Sequence, residues 1–245
     1  MSSSKAQVTE ITGGQMAALL AGVAIEIPRK GNLEMVKAMI SNTKKMRSTL
    51  RQLVEPKDEE NITAEQALQA WHTTWPHFWR AFGFSYDHEA LVLPEYREGF
   101  GWSIVTPPQA DWPMSKLLHE VCERMFPTWQ AYNDEDLDKI TSPKEPTDTN
   151  VVLARNRIEA DEEHQNQSAQ TIETTSLSTM TPRQRLVLEA RYFLETSGHL
   201  DTNTMTICAN SRCTDGCVPY VYWDGDGFSV GLVYPDDADG LWRVR

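Results

Sequence analysis

Two Asp-Gly pairs stand between two runs of alternating side chains in VPYVYWDGDGFSVGLVYP, residues 218–235. Asp-Gly supplies the positive φ angles of tight hairpin turns, and the flanking Val, Tyr, Trp and Phe favour extended backbone. This part of the chain is therefore committed to a β-hairpin. Whether its loop counts residues 225–226 or 224–227, Trp223 faces Phe228. That register sets Val221 opposite Val230 and Pro219 opposite Leu232, so Trp223, Phe228, Val221, Val230 and Leu232 share one apolar face. The other face holds Tyr220 opposite Gly231, Tyr222 opposite Ser229 and Val218 opposite Val233.

The same aspartates invite a calcium reading, which spacing rejects. A helix-flanked calcium loop needs oxygen ligands at positions 1, 3 and 5, glycine at 6 and glutamate at 12. Counted from Asp224, those later positions fall on Phe228, Ser229 and Pro235. Tyrosines interleaved with small and acidic residues instead match binding surfaces, because tyrosine offers a large rigid contact and one hydroxyl at low entropic cost. The expected contact set is Tyr220, Tyr222, Asp224, Asp226, Ser229, Tyr234, Asp236 and Asp237. An ordinary sheet with its tyrosines on the wet side is the alternative.

Upstream, TPRQRLVLEARYFLETSGHLD begins with Thr181 as a cap and Pro182 at the first helical position, and Gly198 is the expected end. Leu186, Leu188–Glu189, Tyr192 and Phe193 form its buried stripe. Thr63 and Gln66 form a capping box opening a second helix, in which Trp71, Trp75, Phe78, Trp79 and Phe82 recur at helical spacing and Pro76 forces a kink. Residues 113–126 read as a further helix, and 150–172 as another. Residues 90–94 and 100–105 read as a short hairpin, and the Pro- and Thr-rich 141–150 as a linker. Short β segments are expected at 205–209, 218–223, 228–234 and 241–245.

The fold class expected is α+β: a mostly helical N-terminal part followed by a small antiparallel β module at the C-terminus. Three regions follow: a weakly ordered segment 1–31, a helical domain with a short β-hairpin 32–145, and a helix plus antiparallel β module 146–245.

Charge and motif spacing narrow the function. A net charge of −12 opposes general attraction to nucleic acid or anionic lipid. No apolar run approaches the roughly 20 residues of a spanning helix, and MAALLAGVAIEI (16–27) lacks the basic start of a secretory leader. Cys122, Cys208, Cys213 and Cys217 do not have paired zinc spacing and read as reduced thiols of a cytoplasmic protein. His72 and His77 are five apart, not the four of a helical metal pair. Glu159, Asp161, Glu162, Glu163 and His164 invite a metal or acid–base reading, but no second Glu-x-x-His accompanies them. An enzyme using Glu159, Asp161 and His164 is disfavoured on that ground, and no cofactor or metal is called for.

Several blocks, RNRIEADEE, TPRQRLVLEARYFLETSGHLD, TICANSRCTDGCVPYVYW and the closing RVR, resemble a family of uncharacterised proteins from uncultivated bacterial lineages. The likeness covers roughly residues 65–245 and is most specific over 181–223. The tail after Ser211, Arg212, Asp215, Gly216, Val218 and Pro219 is similar to the variable region of diversity-generating retroelement target proteins, which implies a C-type-lectin-like fold. Those elements randomise adenines in Asn codons, giving codons that cannot encode Lys, Gln, Glu or Met. Residues 206–241 contain none of the four. The chain carries NSRC where such folds commonly carry GGSW.

The leading expectation is thus a non-enzymatic binding protein that presents its Tyr/Asp/Gly-rich β surface to a protein or other macromolecular ligand, with nucleic acid and membrane disfavoured. The alternative is an adaptor or regulator that contacts nucleic acid or an acidic partner through the basic helix expected at 32–54, which carries Lys37, Lys44, Lys45, Arg47 and Arg51.

Overall fold

A computed structural model of the protein describes residues 62–245 apart from 144 and 146. The expected segment 1–31 and the basic helix 32–54 lie outside the described residues. Helices α1 (Ala64–Thr73) and α2 (Trp75–Ala81) are one apolar stripe broken before Pro76, and Thr63 and Gln66 close the expected capping box. Strand β1 (Trp102–Thr106) follows, then α3 (Met114–Leu117), which runs on as a π-turn over Leu118–Cys122. Next come β2 (Thr128–Gln130), α4 (Asp134–Asp138) and β3 (Asn150–Ala154). A single 3-10 turn at Glu162–His164 leads to α5 (Ala169–Thr174) and the long α6 (Pro182–Thr196). The chain ends in β4 (Met205–Ile207), β5 (Val218–Trp223), β6 (Phe228–Val233) and β7 (Trp242–Arg243).

The mixture of helices and sheets is as expected, but the strands are not confined to the C-terminal end. β1 pairs antiparallel with β3, Trp102 opposite Ala154 through Thr106 opposite Asn150. The hairpin expected over 90–105 is therefore absent: only its second half is a strand, and its partner comes from 150–154. Pro94 denies the first half a backbone donor. The helix expected over 150–172 is likewise replaced by β3, an irregular charged segment and α5. Val151, Val152 and Leu153 favour the pleated backbone, and β1 satisfies it.

The tryptophan stripe has a second role besides filling the core. Trp71 and Trp75 donate their indole N–H groups to the Ser103 carbonyl at 2.7 and 3.0 Å, and Trp79 donates to the Val105 carbonyl at 2.9 Å. Three side chains from α1 and α2 thus occupy acceptors along the edge of β1 that faces away from β3. A strand edge is usually covered by another strand; here indoles cover it.

The main sheet has the order β2-β6-β5-β4-β7. The module expected to be antiparallel is mixed, because β2 joins β6 in parallel and β7 joins β4 in parallel. Both additions are strands of two or three residues, too short to show an alternating pattern. The hairpin itself has the expected register throughout, from Val218 opposite Val233 to Trp223 opposite Phe228.

Helix α6 lies against the apolar face of that hairpin. Leu186, Val187, Leu188 and Ala190 share one core with Val221, Phe228 and Val230. Its first ten residues are all buried, including Arg183, Arg185, Glu189 and Arg191, so it is a central helix and not one with a single apolar stripe. The Thr181 cap and Pro182 start are as expected, but the left-handed C-cap falls on Ser197 (φ 56°) and not on Gly198. The stretch 141–150 is tied down: Thr141 bridges Arg212, Ser142 Oγ meets Ser211 Oγ at 2.7 Å, and Glu145 forms a buried ion pair with Arg183.

On the opposite face of the hairpin, α5 closes a second, smaller core of Ala169, Ile172, Ile207, Ala209, Val218, Val233 and Val244. The sheet is consequently covered on both sides at its α5 end and open at its hairpin turn.

Candidate functional site

The turn of the hairpin is built by Asp224. Its Oδ1 accepts from the backbone N–H groups of Asp226 and Gly227 at 2.9 and 2.8 Å, and Gly225 supplies a φ of 97°. Its Oδ2 accepts from the Ser229 hydroxyl at 3.0 Å. The Asp226 and Gly227 amides, with Ser229 added, hold the Asp224 carboxyl below its ordinary range. This carboxylate is a fixed negative charge that also shapes the loop. Ser229 is buried, and its hydroxyl is committed to Asp224.

Tyr220 is half-buried, and its ring lies across Gly231, where any Cβ would collide with it. It packs on the second core and touches the Tyr222 ring at 5.8 Å between centroids. Tyr222 is the next residue outward on that face. It lines an open groove of about 510 Å³ with Trp223, Asp224 and Gly225 on one side and Thr202–Met205 and Leu241 on the other.

Tyr234, Asp236 and Asp237 lie past the far end of β6. Six extended residues separate that end from the turn, roughly 20 Å. The eight expected residues therefore form two patches. Tyr222, Asp224 and Asp226 stand at the turn; Tyr234, Asp236 and Asp237 stand at the other end, with Tyr234 65% exposed. Tyr220 and Ser229 lie between and below, holding the hairpin together. The segment 234–241 joins the patches, since it leaves β6 at one end and delivers Leu241 to the groove at the other.

The second wall of the groove was not foreseen from the sequence. Thr202, Asn203 and Thr204 are gathered by Glu159, which accepts from the Thr204 hydroxyl at 2.7 Å, the Thr202 hydroxyl at 3.0 Å and the Asn203 backbone at 3.2 Å. The Asp239-Gly240 turn signal beside Leu241 was the one local hint. Glu159 is thus an organiser of this wall, and burial, which would raise its carboxyl, is outweighed by these donors.

Beneath the groove lies a buried ionic cluster. Arg185 reaches Glu189 at 2.7 Å and Asp201 at 2.9 Å, and all three side chains are closed to solvent. His199 Nδ1 meets Glu189 at 2.8 Å, and its ring stacks on Trp223 with centroids 3.3 Å apart. The Trp223 backbone N–H donates to the Asp201 carbonyl at 3.2 Å. Burial would raise the Asp201 carboxyl, but Arg245 and Arg185 hold it low. The groove floor is thereby fastened to the protein interior.

The other candidates are used elsewhere. Asp161 and Glu163 pair with Arg155 and Arg157, and His164 stands in the 3-10 turn beside them. Cys122, Cys208, Cys213 and Cys217 are free, buried thiols. Burial pushes Cys213 up to about 11. His72 is buried against Ser103 and His88, not beside His77. Among the described residues, no three His, Cys, Asp or Glu side chains converge as metal ligands, and no helix is long and apolar enough to cross a membrane.

Comparison with protein-family models, curated proteins and solved structures returns no match.

Proposed function

We propose that this is a non-enzymatic recognition protein whose C-terminal β surface contacts a protein or other macromolecular ligand. The observation that carries this reading is the groove beside the hairpin turn, where Tyr222 is accessible on a backbone fixed by Asp224, Ser229 and Tyr220. Rigid support beneath an adaptable polar and aromatic surface is the arrangement that lowers the entropic cost of binding. The pairing of Glu159, Asp161 and Glu163 with structural partners supports the non-enzymatic part.

The C-type-lectin-like and diversified character of the tail belongs to the same proposal. Its support is the packing of α6 under a sheet whose last strand, β7, is Trp242–Arg243. A cytoplasmic location is part of the proposal as well, supported by the free thiols.

The test compares the wild-type chain with Tyr222→Ala and Tyr234→Ala in capture from a bacterial lysate, read by mass spectrometry. Loss of captured species from either variant, with unchanged thermal melting, is the expected result. Identical captured sets from all three proteins would sink the reading.

A further inference from the structure

The groove at the hairpin turn combines apolar floor, aromatic ring and negative charge in a way that one ligand chemistry satisfies. Met205, Leu241 and Trp223 supply apolar surface, and Leu241 remains 50% exposed. Tyr222 supplies an aromatic ring at the same lining. The turn adds Asp224 to the lining, its charge held by its backbone donors, and next to it, outside the lining, stands Asp226, which is exposed and forms no ion pair among the described residues. Neither carboxylate is in an ion pair among the described residues, and from Cys213 to Trp242 the sequence has no Lys, Arg or His, against aspartates at 215, 224, 226, 236, 237 and 239.

Each part excludes something. An anionic ligand, such as nucleic acid or an acidic lipid headgroup, would meet the Asp224 carboxylate in the groove, Asp226 beside it and the aspartates of the 234–241 segment. A purely apolar ligand would strip water from Asp224 and Asp226 with nothing to replace it. A long cationic side chain meets all the requirements at once. Its alkyl stem covers apolar surface while its head stays polar, and the head is attracted both to an aromatic face and to carboxylates.

Resting on the recognition reading above, we propose that this groove receives an arginine or lysine side chain from an extended segment of a protein partner. The stem lies on Met205 and Leu241, and the cation lies beside the Tyr222 ring and the Asp224 carboxylate, in the field of Asp226 just outside the lining. The groove volume of about 510 Å³ leaves room for flanking residues of that segment, within the roughly 300–1,000 Å³ of usual ligand sites. Arginine fits better than lysine, because its planar head stacks on a ring and pairs with a carboxylate together.

Panning a phage-displayed random-peptide library on the full chain tests this. Recovered peptides should be enriched in Arg and Lys relative to the unselected library. Their affinity should fall about tenfold or more for Tyr222→Ala and for Leu241→Ser. It should fall about threefold to tenfold for Asp226→Asn, an effect that shrinks as salt rises. Melting temperatures of the three variants serve as the folding control.

Recovered peptides without a cationic bias would overturn the inference, as would affinities indifferent to Asp226→Asn. A cationic bias that persists unchanged in Tyr222→Ala would overturn it too, by marking general attraction to an acidic surface. Recovery of no peptide has the same consequence. The recognition reading is judged separately: it survives any of these results if Tyr222→Ala still removes species captured from lysate.

Discussion

Arg245 and Asp201 meet at 2.6 Å, Nη2 donating to Oδ1, across 44 residues of sequence and with both side chains closed to solvent. Arg245 also donates to the carbonyls of Arg157 and Ile158. Three separate blocks, 157–158, 185–206 and 243–245, therefore converge on one carboxylate.

Asp201 is the member whose loss strips Arg245 of its carboxylate and leaves Arg185 with Glu189 alone. Asp201→Asn is expected to destabilise the fold by about 3–5 kcal/mol, the cost of breaking a buried pair from one side. Urea unfolding followed by tryptophan fluorescence measures it; a loss below about 1 kcal/mol would contradict the role assigned to the cluster.

Trp79, whose indole covers the Val105 carbonyl of β1, is fully closed to solvent. Trp79→Phe removes the donor to the Val105 carbonyl and retains an aromatic ring. The expected cost is about 1–3 kcal/mol, for a buried acceptor left without its partner plus the lost ring volume. Amide hydrogen exchange in β1 should accelerate in step, and an unchanged exchange pattern would show that the indole is only filler.

Tyr220 and Gly231 test whether the tyrosine face is packing or surface. Gly231→Ala places a methyl group into the Tyr220 ring and should destabilise by about 1–3 kcal/mol. In Tyr220→Ala the added methyl group meets empty space, so the double variant should lose less than the two single losses combined. Strict additivity would mean that the ring moves aside freely.

His72 gives the protein a pH dependence of known sign. Burial, with His88 adding to it, lowers the imidazole from 6.5 to about 4. The unfolded chain thus binds this proton more readily than the folded one between those values. Stability from this group is full above pH 6.5 and falls as the pH drops toward 4, by roughly 3 kcal/mol in total. Melting temperatures across that interval should fall less steeply in His72→Gln; equal slopes would remove His72 from the account.

What the sequence disclosed was local. The hairpin register follows from strand alternation of period two and the Asp-Gly turn, and the start of α6 follows from Thr181 and Pro182, all within a few residues. The pairing of β1 with β3 was hidden because its partners lie 44–52 residues apart, and β2 and β7 were hidden by their shortness. The burial of Arg183 and Arg185 was not legible because their partners Glu145 and Asp201 lie beyond the helix. The candidate site divides the same way. Tyr222 and the turn were legible, whereas Thr202–Met205 and Leu241 reach the groove only through β4 and β7.

The fastening of the hairpin has a consequence for which substitutions the segment tolerates. The segment that carries the surface, 224–241, is anchored at its ends by groups outside it: the Trp223 amide on Asp201 before it, and Val244 and Arg245 after it. Within it, Phe228, Val230 and Val233 belong to the cores, and Ser229 and Gly231 serve the turn and the Tyr220 contact. Asp224 and Gly225 make the turn, Leu232 packs on the core and Asp239 holds the Leu241 amide, which leaves Asp226, Tyr234, Asp236 and Asp237 with no such duty. Substitution at Asp226, Tyr234, Asp236 or Asp237 is therefore expected to alter the exposed face while the interior that makes the protein fold stays as it is.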